Sequence, residues 1–190
     1  MSEKILHKTT LITPDGVEEI LLGGGCFWCI EPLYLELRGI TKVESGYANG
    51  FSENPNYRAV CTGMSGYAEV IKVTFDPTVI SLADVLSVFF TVHDPTTLNR
   101  QGNDAGTQYR SAIYYFNDAQ KTICETIFAE ANEKIWDGKI VTELAPMSNY
   151  YVAETYHQNY YNINPNEGYC SYVITPKVGK FRKLWADKLK

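Results

Sequence analysis

The pattern of apolar and polar positions predicts alternating strands and helices along the chain. Side-chain character alternates most clearly in residues 67–75, and a period of two is typical of a β-strand. Short apolar runs predict further strands at residues 18–22, 40–47, 111–116 and 140–144. Helical spacing of apolar residues predicts helices from about residue 26 to before Gly39, over 81–92 and over 118–136. These elements interleave without the regular spacing of a doubly wound sheet, so the pattern favours an α+β fold.

Two long stretches, residues 45–66 and 93–109, show no period at all and are rich in Gly and Asn. Structureless loops of this length are uncommon in a compact domain and often carry function, although plain surface loops are the alternative. No internal repeat or Pro/Ser-rich linker interrupts the chain. We therefore expect one domain over residues 1–190, with a short N-terminal arm and a basic C-terminal tail at 177–190.

Composition and charge exclude several classes of protein. The chain has 190 residues, 45% of them hydrophobic and 21% charged, which is ordinary for a soluble globular domain. The net charge of −5 argues against binding to nucleic acid or to an anionic membrane. No apolar run approaches the roughly 20 residues of a spanning helix, and the first residues lack the apolar core of a signal peptide. We expect a cytoplasmic protein, acting as a monomer.

The five cysteines are an odd number in a chain long enough to fold without disulfides, which indicates free thiols in a reducing compartment. Cys26 follows three glycines at the point where a strand gives way to a helix. Unpaired backbone N–H groups and the helix dipole at that point stabilise a thiolate, so Cys26 is the candidate nucleophile. A buried structural cysteine is the alternative.

The other cysteines suggest different roles. Cys29 completes a C-x-x-C motif with Cys26, which is typical of a thioredoxin-like pair; a zinc site is disfavoured because no second ligand pair follows, and we expect no metal. Cys124 lies on the apolar stripe of its predicted helix, and Cys61 is interpreted as structural. Cys170 lies in a polar segment, where an exposed thiol on a mobile segment suits a resolving cysteine.

Glu69 is the most informative carboxylate, because it shares strand parity with Ile71, Val73 and Phe75, the side chains expected to face the core. Burial would raise its pKa and make it a proton donor at neutral pH. A Glu turned outward at the strand end is the alternative. His93 and His157 could pair with a thiol, although a loop histidine more often only packs.

Several of these residues belong to motifs that resemble the A class of peptide-methionine sulfoxide reductases. The resemblance spans roughly residues 18–175 and rests on two specific motifs and several shorter ones: Gly24-Gly25-Cys26-Phe27-Trp28, Gln101-Gly102-Asn103-Asp104 through Tyr109-Arg110-Ser111, Asn54-Pro55-Asn56-Tyr57, Val60-Cys61-Thr62-Gly63, Gly66-Tyr67-Ala68-Glu69-Val70, His93-Asp94-Pro95, His157-Gln158 and Gly168-Tyr169-Cys170. Both stretches without a period contain several of these motifs.

The resemblance implies a two-layer α/β sandwich around a mixed sheet, with a ferredoxin-like core and long functional loops. The implied substrate is the S epimer of methionine sulfoxide, free or in oxidised proteins, and an external dithiol such as thioredoxin recycles the enzyme without a bound cofactor. By this resemblance Cys26 would be the nucleophile, and Phe27 and Trp28 would form the apolar pocket. Glu69 would be the acid, with Tyr57 and Tyr109 as hydroxyl donors beside it. Asp104 would support the pocket, and Cys170 would be the resolving thiol.

Two positions depart from the family pattern, since Cys29 stands where many members have Gly and Tyr67 where many have His. Cys29 could replace Cys170 as the resolving thiol, precede it in a relay or be a bystander; the resemblance favours Cys170. Two rival functions are a general disulfide oxidoreductase using Cys26 and Cys29, and a redox-sensing module without turnover. The first leaves Glu69 and the loop from Asp104 to Tyr109 without a role, and the second would be distinguished by stoichiometric thiol modification without product release.

Overall fold

The computed structural model describes residues 16–190, and eight strands and six α-helices account for most of the regular structure in that part of the chain. The strands are β1 (Glu18–Gly23), β2 (Ile40–Ala48), β3 (Ala68–Phe75), β4 (Arg100–Gln101), β5 (Asp104–Ala105), β6 (Ala112–Tyr115), β7 (Glu143–Pro146) and β8 (Tyr150–Val152). The helices are α1 (Phe27–Leu35), α2 (Tyr57–Cys61), α3 (Leu82–Val92), α4 (Asp118–Lys134), α5 (Tyr160–Ile163) and α6 (Thr175–Leu184).

Six of the strands form one mixed sheet in the order β7-β6-β1-β3-β2-β8. Strand β1 lies at its centre and pairs antiparallel with β3 and β6, while β2 pairs antiparallel with β3 and β8. The pairing of β6 with β7 is parallel. Strands β4 and β5 form a separate small hairpin inside the stretch that showed no period. The predicted α+β class and mixed sheet are confirmed.

The main core lies between one face of the sheet and the helices. On β3, Ile71, Val73 and Phe75 are fully buried in this core, whereas Ala68 and Val70 face a smaller apolar cluster on the opposite face of the sheet. The predicted parity of the strand is therefore correct, because successive side chains of a strand point to opposite faces. Glu69 comes at the head of the core-facing row.

Helix boundaries follow the local signals. Ser81 caps α3, since its side chain accepts a hydrogen bond from the backbone N–H of Asp84 at 3.0 Å. Helix α4 ends at Lys134, and Gly138 closes the following turn with φ +75°. The strand predicted over residues 140–144 is displaced to Glu143–Pro146, because the backbone N–H of Ile140 bonds instead to the Asn132 side chain.

The C-terminal part of the chain differs most from the prediction. A π-helical segment, Cys170–Ile174, runs directly into α6, and the side chains of Val178 and Phe181 are buried against the core. Short π-helical stretches occur frequently at functional sites. The basic tail is thus a packed helix, and residues 170–174 form an ordered turn beside α1. Within residues 16–190, no helix is long and apolar enough to span a membrane.

Candidate active site

Cys26 lies where the central strand gives way to the first helix. Strand β1 ends at Gly23, and Cys26 is the N-cap residue of α1. Gly25 has φ +90°, and a Cβ at this position would come within 2.7 Å of the Gln101 side chain. Only glycine meets both conditions, since L-residues rarely adopt this φ. The tight turn predicted from the glycines therefore presents a half-buried thiol at the helix N-terminus.

Glu69 is 1% exposed, and its Oε2 accepts a hydrogen bond of 3.2 Å from the backbone N–H of Phe27. Burial raises the pKa of this carboxyl to about 8, and the bond from Phe27 opposes the rise only in part. The group therefore keeps its proton at neutral pH. Its hydrogen-bond partner, Phe27, directly follows the candidate nucleophile Cys26 in the chain. This is the environment that the strand parity predicted.

Two tyrosines flank this acid. Burial and the nearby Glu69 carboxyl raise the pKa of the Tyr109 hydroxyl, and burial also raises the pKa of Tyr57. Both side chains thus stay protonated and can donate hydrogen bonds. The backbone N–H of Tyr57 is held by the Glu154 carboxylate at 2.7 Å, which anchors the start of α2.

The two stretches without a period pack against each other and form one side of the site. Arg110 joins them, because its guanidinium donates to the Gly66 carbonyl at 3.0 Å and to the Thr107 carbonyl at 2.9 Å. It also bonds Glu143 at 2.6 Å. The Thr107 hydroxyl adds a bond of 2.9 Å to the Gly63 carbonyl. These bonds place Tyr57 and Tyr109 on the same side of the pocket.

Phe27 and Trp28 form the apolar part of the site. Phe27 is fully buried, and Trp28 is half-buried. The Trp28 indole stacks on the Tyr160 ring at 3.7 Å between centroids, and its N–H donates to Nδ1 of His157 at 3.1 Å. Tyr160 was not among the predicted site residues, and His157 was predicted only as a partner of a thiol. His157 instead orients the pocket wall.

The thiols of Cys26 and Cys29 are hydrogen-bonded to each other and ionise as a pair. That hydrogen bond, burial and the Glu69 carboxyl raise the pKa of Cys26 well above its usual range. The same bond lowers the pKa of Cys29 to about 7, against the effect of burial. The backbone N–H of Trp28 acts in the opposite sense and lowers the pKa of Cys26 in part, which is the effect expected at a helix N-terminus. The pair loses its first proton near neutral pH, and the remaining proton is shared between the two sulfurs.

Tyr169 joins this pair to Asp104, and sequence analysis gave Tyr169 no role of its own. Its hydroxyl donates to Oδ2 of Asp104 at 2.6 Å and lies 3.3 Å from the Cys29 sulfur. Its ring meets the Trp28 ring edge-on, with centroids 6.2 Å apart. The motif Gly168-Tyr169-Cys170 was the signal available in the sequence. The residue of this motif with a predicted role was Cys170, as a resolving thiol.

The remaining cysteines differ from their predictions in part. Cys170 is fully buried, so the expectation of an exposed thiol on a mobile segment is wrong; the side chain packs into the core as the π-helical segment begins. Burial and the charge of Cys29 raise the pKa of Cys170, which places the two thiols near each other. Cys124 is fully buried, as predicted, and Cys61 is exposed.

His93 makes structural contacts. Its Nδ1 and Nε2 lie 2.7 Å from the Phe89 carbonyl and the Ser111 hydroxyl, and burial lowers its pKa to about 4. A neutral histidine with both nitrogens occupied does not act on Cys26. In residues 16–190, no group of three or more His, Cys, Asp or Glu side chains could hold a metal ion.

The site thus combines a nucleophilic thiol, a second thiol in contact with it, a buried acid that is protonated at neutral pH and an apolar wall. In such a site the Cys26 sulfur can attack an electrophilic centre of a substrate while an oxygen of the substrate takes a proton from Glu69. The fold and the site define a thiol-dependent oxidoreductase.

Comparison with known proteins identifies its family. The family model described as peptide methionine sulfoxide reductase matches residues 18–189. A peptide methionine sulfoxide reductase MsrA of Deinococcus radiodurans is 52% identical over 174 residues, which cover 91% of this chain and 84% of that protein. The chain belongs to the peptide methionine sulfoxide reductase family, and its activity is the thiol-dependent reduction of methionine sulfoxide.

Solved structures agree with this assignment. The reduced form of Mxr1 from Saccharomyces cerevisiae superposes with a TM-score of 0.79 at 40% identity, covering 83% of this chain and 91% of that one. Mxr1 in a complex with Trx2 superposes with a TM-score of 0.57 at 30% identity, covering 80% of this chain and 91% of that one. These neighbours have the two-layer fold that the resemblance implied.

Proposed function

We propose that Cys26 attacks the sulfur of methionine S-sulfoxide, free or within oxidised proteins, while Glu69 protonates the sulfoxide oxygen. The observation that carries the proposal is the buried Glu69 carboxyl, held 3.2 Å from the Phe27 backbone N–H and therefore beside the nucleophile. A sulfoxide is a weak electrophile until its oxygen is protonated or strongly hydrogen-bonded. A carboxyl with a pKa of about 8 supplies that proton at neutral pH.

The other pocket residues bind and orient the substrate in this proposal. The hydroxyls of Tyr57 and Tyr109 donate hydrogen bonds to the sulfoxide oxygen beside Glu69. Phe27 and Trp28 receive the S-methyl group. Asp104 supports the pocket through Tyr169, whose ring contacts Trp28.

The protons of the first step balance within the site. The proton shared by the two thiols stays on Cys29 as the Cys26 sulfur bonds to the substrate, and the Glu69 proton goes to the oxygen. The S–O bond to the substrate breaks, methionine leaves, and Cys26 carries the oxygen as a sulfenic acid. Cys26 has then been oxidised by two electrons, Cys29 is a neutral thiol, and Glu69 is a carboxylate.

We assign the next step to Cys29 because its thiol is hydrogen-bonded to Cys26 in the resting site, whereas the fully buried Cys170 is near Cys29. Cys29 condenses with the sulfenic acid to form a disulfide and water. Cys170 then exchanges with this disulfide, forming a Cys29–Cys170 bond and releasing the Cys26 thiol. This order retains Cys170 as a resolving thiol but places Cys29 before it.

An external dithiol of the thioredoxin type completes the cycle. The yeast relative Mxr1 has been crystallised in a complex with Trx2, which supports a partner of this kind. The chemistry needs two electrons and two protons per turnover, which a dithiol provides without a bound cofactor. The five free cysteines support a reducing compartment such as the cytoplasm.

Single turnover without reductant tests the proposal. The reduced protein is mixed with excess methionine S-sulfoxide, the methionine formed per protein is counted, and disulfides are mapped by peptide mass. We expect about two equivalents of methionine per protein, because disulfide exchange onto Cys170 frees Cys26 for a second attack. The Cys170→Ser variant should give about one equivalent. A wild-type yield of one with a Cys26–Cys170 bond would contradict the order of thiols.

The R epimer is the matched control for stereochemistry. We expect no methionine from it under the same conditions. Faster turnover of the R epimer than of the S epimer would contradict the proposed substrate. The absence of methionine from both epimers would contradict the reductase step itself and favour simple thiol–disulfide exchange by the C-x-x-C motif.

A further inference from the structure

The Tyr169 hydroxyl lies between a thiol that must lose a proton and a carboxylate that can take one. It is 3.3 Å from the Cys29 sulfur and 2.6 Å from Oδ2 of Asp104. A phenol has a single proton to donate. While that proton is directed at Asp104, the Tyr169 oxygen is free to accept a hydrogen bond from the Cys29 S–H. The three groups therefore form a continuous donor-to-acceptor chain from Cys29 to Asp104.

We propose that Tyr169 and Asp104 form a proton relay that deprotonates Cys29 as it attacks the sulfenic acid on Cys26. Tyr169 is the catalytic residue of the relay, because its oxygen contacts the reacting thiol. Asp104 acts through Tyr169 and is a positioning residue. The inference rests on the proposed function, in which Cys29 is the first resolving thiol.

The step balances in atoms and electrons. The Cys29 proton passes to the Tyr169 oxygen while the Tyr169 proton passes to Asp104. The Cys29 sulfur forms an S–S bond with Cys26 and is oxidised; the S–O bond of the sulfenic acid breaks, and the Cys26 sulfur is reduced. The leaving hydroxide takes a proton from solvent and departs as water. Asp104 is half-buried and returns its proton to solvent, so no external oxidant or reductant takes part.

The preceding step explains why a relay is needed. The proton shared by the resting pair stays on Cys29 as Cys26 attacks, so Cys29 is neutral when the sulfenic acid has formed. The hydrogen bond from the Cys26 thiol, which chiefly lowers the pKa of Cys29, is then gone, and burial opposes ionisation. Cys29 is 4% exposed, so water has little access to its proton. Among the hydrogen bonds of residues 16–190, the hydroxyl group that lies within hydrogen-bond distance of the Cys29 sulfur is that of Tyr169.

Tyr169 can pass a proton without ever becoming a stable phenolate. Burial and the charges of Cys26, Cys29 and Asp104 raise its pKa. Glu69 is the rival acceptor, because it is a carboxylate after the first step. The titratable groups that face Cys29 from the surrounding elements are Cys26, Glu69, Asp104, Tyr169, Cys170 and Lys177.

Tyr169→Phe tests the relay, since it retains the ring that packs on Trp28 and removes only the hydroxyl. Asp104→Asn still accepts the hydrogen bond of Tyr169 but takes its proton poorly. Tyr172→Phe is the matched control, because Tyr172 lies in the same π-helical segment and is 85% exposed. In single turnover, methionine release, the Cys26 sulfenic acid trapped by dimedone, and the disulfide mapped by peptide mass are followed together from pH 6 to pH 9.

We expect the ratio of the disulfide-forming rate to the methionine-forming rate to fall by about 10²-fold at pH 7 in Tyr169→Phe and in Asp104→Asn. Trapped sulfenic acid should rise accordingly, and Tyr172→Phe should match the unsubstituted protein. The deficit should shrink towards pH 9, where Cys29 loses its proton directly to solvent. A ratio that is unchanged in Tyr169→Phe, or lowered equally at every pH, would overturn the relay.

Cys29→Ser separates this inference from the proposed function. If Cys29→Ser still forms an intramolecular disulfide at the unsubstituted rate, then Cys29 is not the first resolving thiol, and both proposals fail together. If Cys29→Ser blocks that disulfide while Tyr169→Phe forms it normally, the relay alone is overturned, and Glu69 becomes the acceptor of the Cys29 proton.

Discussion

The two sides of the pocket around Cys26 are built in different ways. The acid side consists of Glu69, Tyr57 and Tyr109, and its central member stands on β3, a strand hydrogen-bonded to both β1 and β2. The thiol side consists of Cys29, Tyr169 and Cys170, and it forms only when the C-terminal segment packs against α1. The Cys26 sulfur faces both sides. The comparison suggests that methionine formation and disulfide formation can be altered separately.

Glu69→Gln should show the largest effect and should act on the acid side alone. We expect the methionine-forming rate to fall by about 10²- to 10⁴-fold, because the sulfoxide oxygen loses its general acid. Single-turnover methionine release measures it. Glu44→Gln is the matched control: Glu44 is also on the sheet, on the neighbouring strand, but pairs with Lys72 away from the site. A normal rate in Glu69→Gln would remove Glu69 from the mechanism.

The pH profile of the same step sharpens this prediction. The resting thiol pair must be ionised, with a pKa of about 7 at Cys29, and Glu69 must be protonated, with a pKa of about 8. The rate should therefore decline below about pH 7 and above about pH 8. Loss of the alkaline decline in Glu69→Gln is expected, and its persistence would assign that decline to another group.

The same carboxyl should cost stability. Its pKa is raised from 4.5 to about 8, so the folded state retains a proton that the unfolded chain releases, and the free energy of unfolding falls as pH rises through this window. The Glu69→Gln variant has no such proton, so its free energy of unfolding at pH 7 should exceed that of the unsubstituted protein by on the order of 3 kcal/mol. Urea unfolding at pH 5, 7 and 8 measures the difference, which should grow with pH. A constant difference would contradict the raised pKa.

Cys29→Ser should act chiefly on the thiol side, with a smaller effect on methionine formation, because Cys26 then ionises without its partner. Methionine should still form, because Cys26 and Glu69 are retained, but the disulfide should appear at least about tenfold more slowly, since a hydroxyl cannot resolve a sulfenic acid. Dimedone trapping at Cys26 measures the sulfenic acid that accumulates. A disulfide formed at the normal rate between Cys26 and Cys170 would show that the thiol side works without Cys29.

Trp28→Phe should have the smallest effect, because Trp28 touches both sides without reacting. The substitution removes the indole N–H that bonds His157 and reduces the stacked area on Tyr160. We expect KM for methionine sulfoxide to rise by about 2- to 10-fold, the equivalent of one hydrogen bond. Steady-state kinetics with an external dithiol measures it. A drop in kcat at unchanged KM would indicate that the ring orients a reacting group.

The acid side was largely predictable from the sequence, and the thiol side was not. Strand parity placed Glu69 in the core row, and the glycines placed Cys26 at a helix N-terminus, because both depend on spacing between neighbouring residues. Cys170 was expected to be exposed because its own segment is polar. It is buried because α6 folds back onto α1, a contact that no local pattern reports.

The sequence by itself therefore determined the order of the main elements, the candidate nucleophile, the candidate acid and, through its motifs, the family. Only the tertiary structure decided that the two thiols ionise as a pair, which residue orients Trp28 and what joins Cys29 to Asp104. The hydrogen bonds responsible connect residues far apart in the chain: 129 positions between Trp28 and His157, and 140 between Cys29 and Tyr169. Local propensity acts over a few residues, whereas a pKa or a side-chain contact depends on everything that packing brings near.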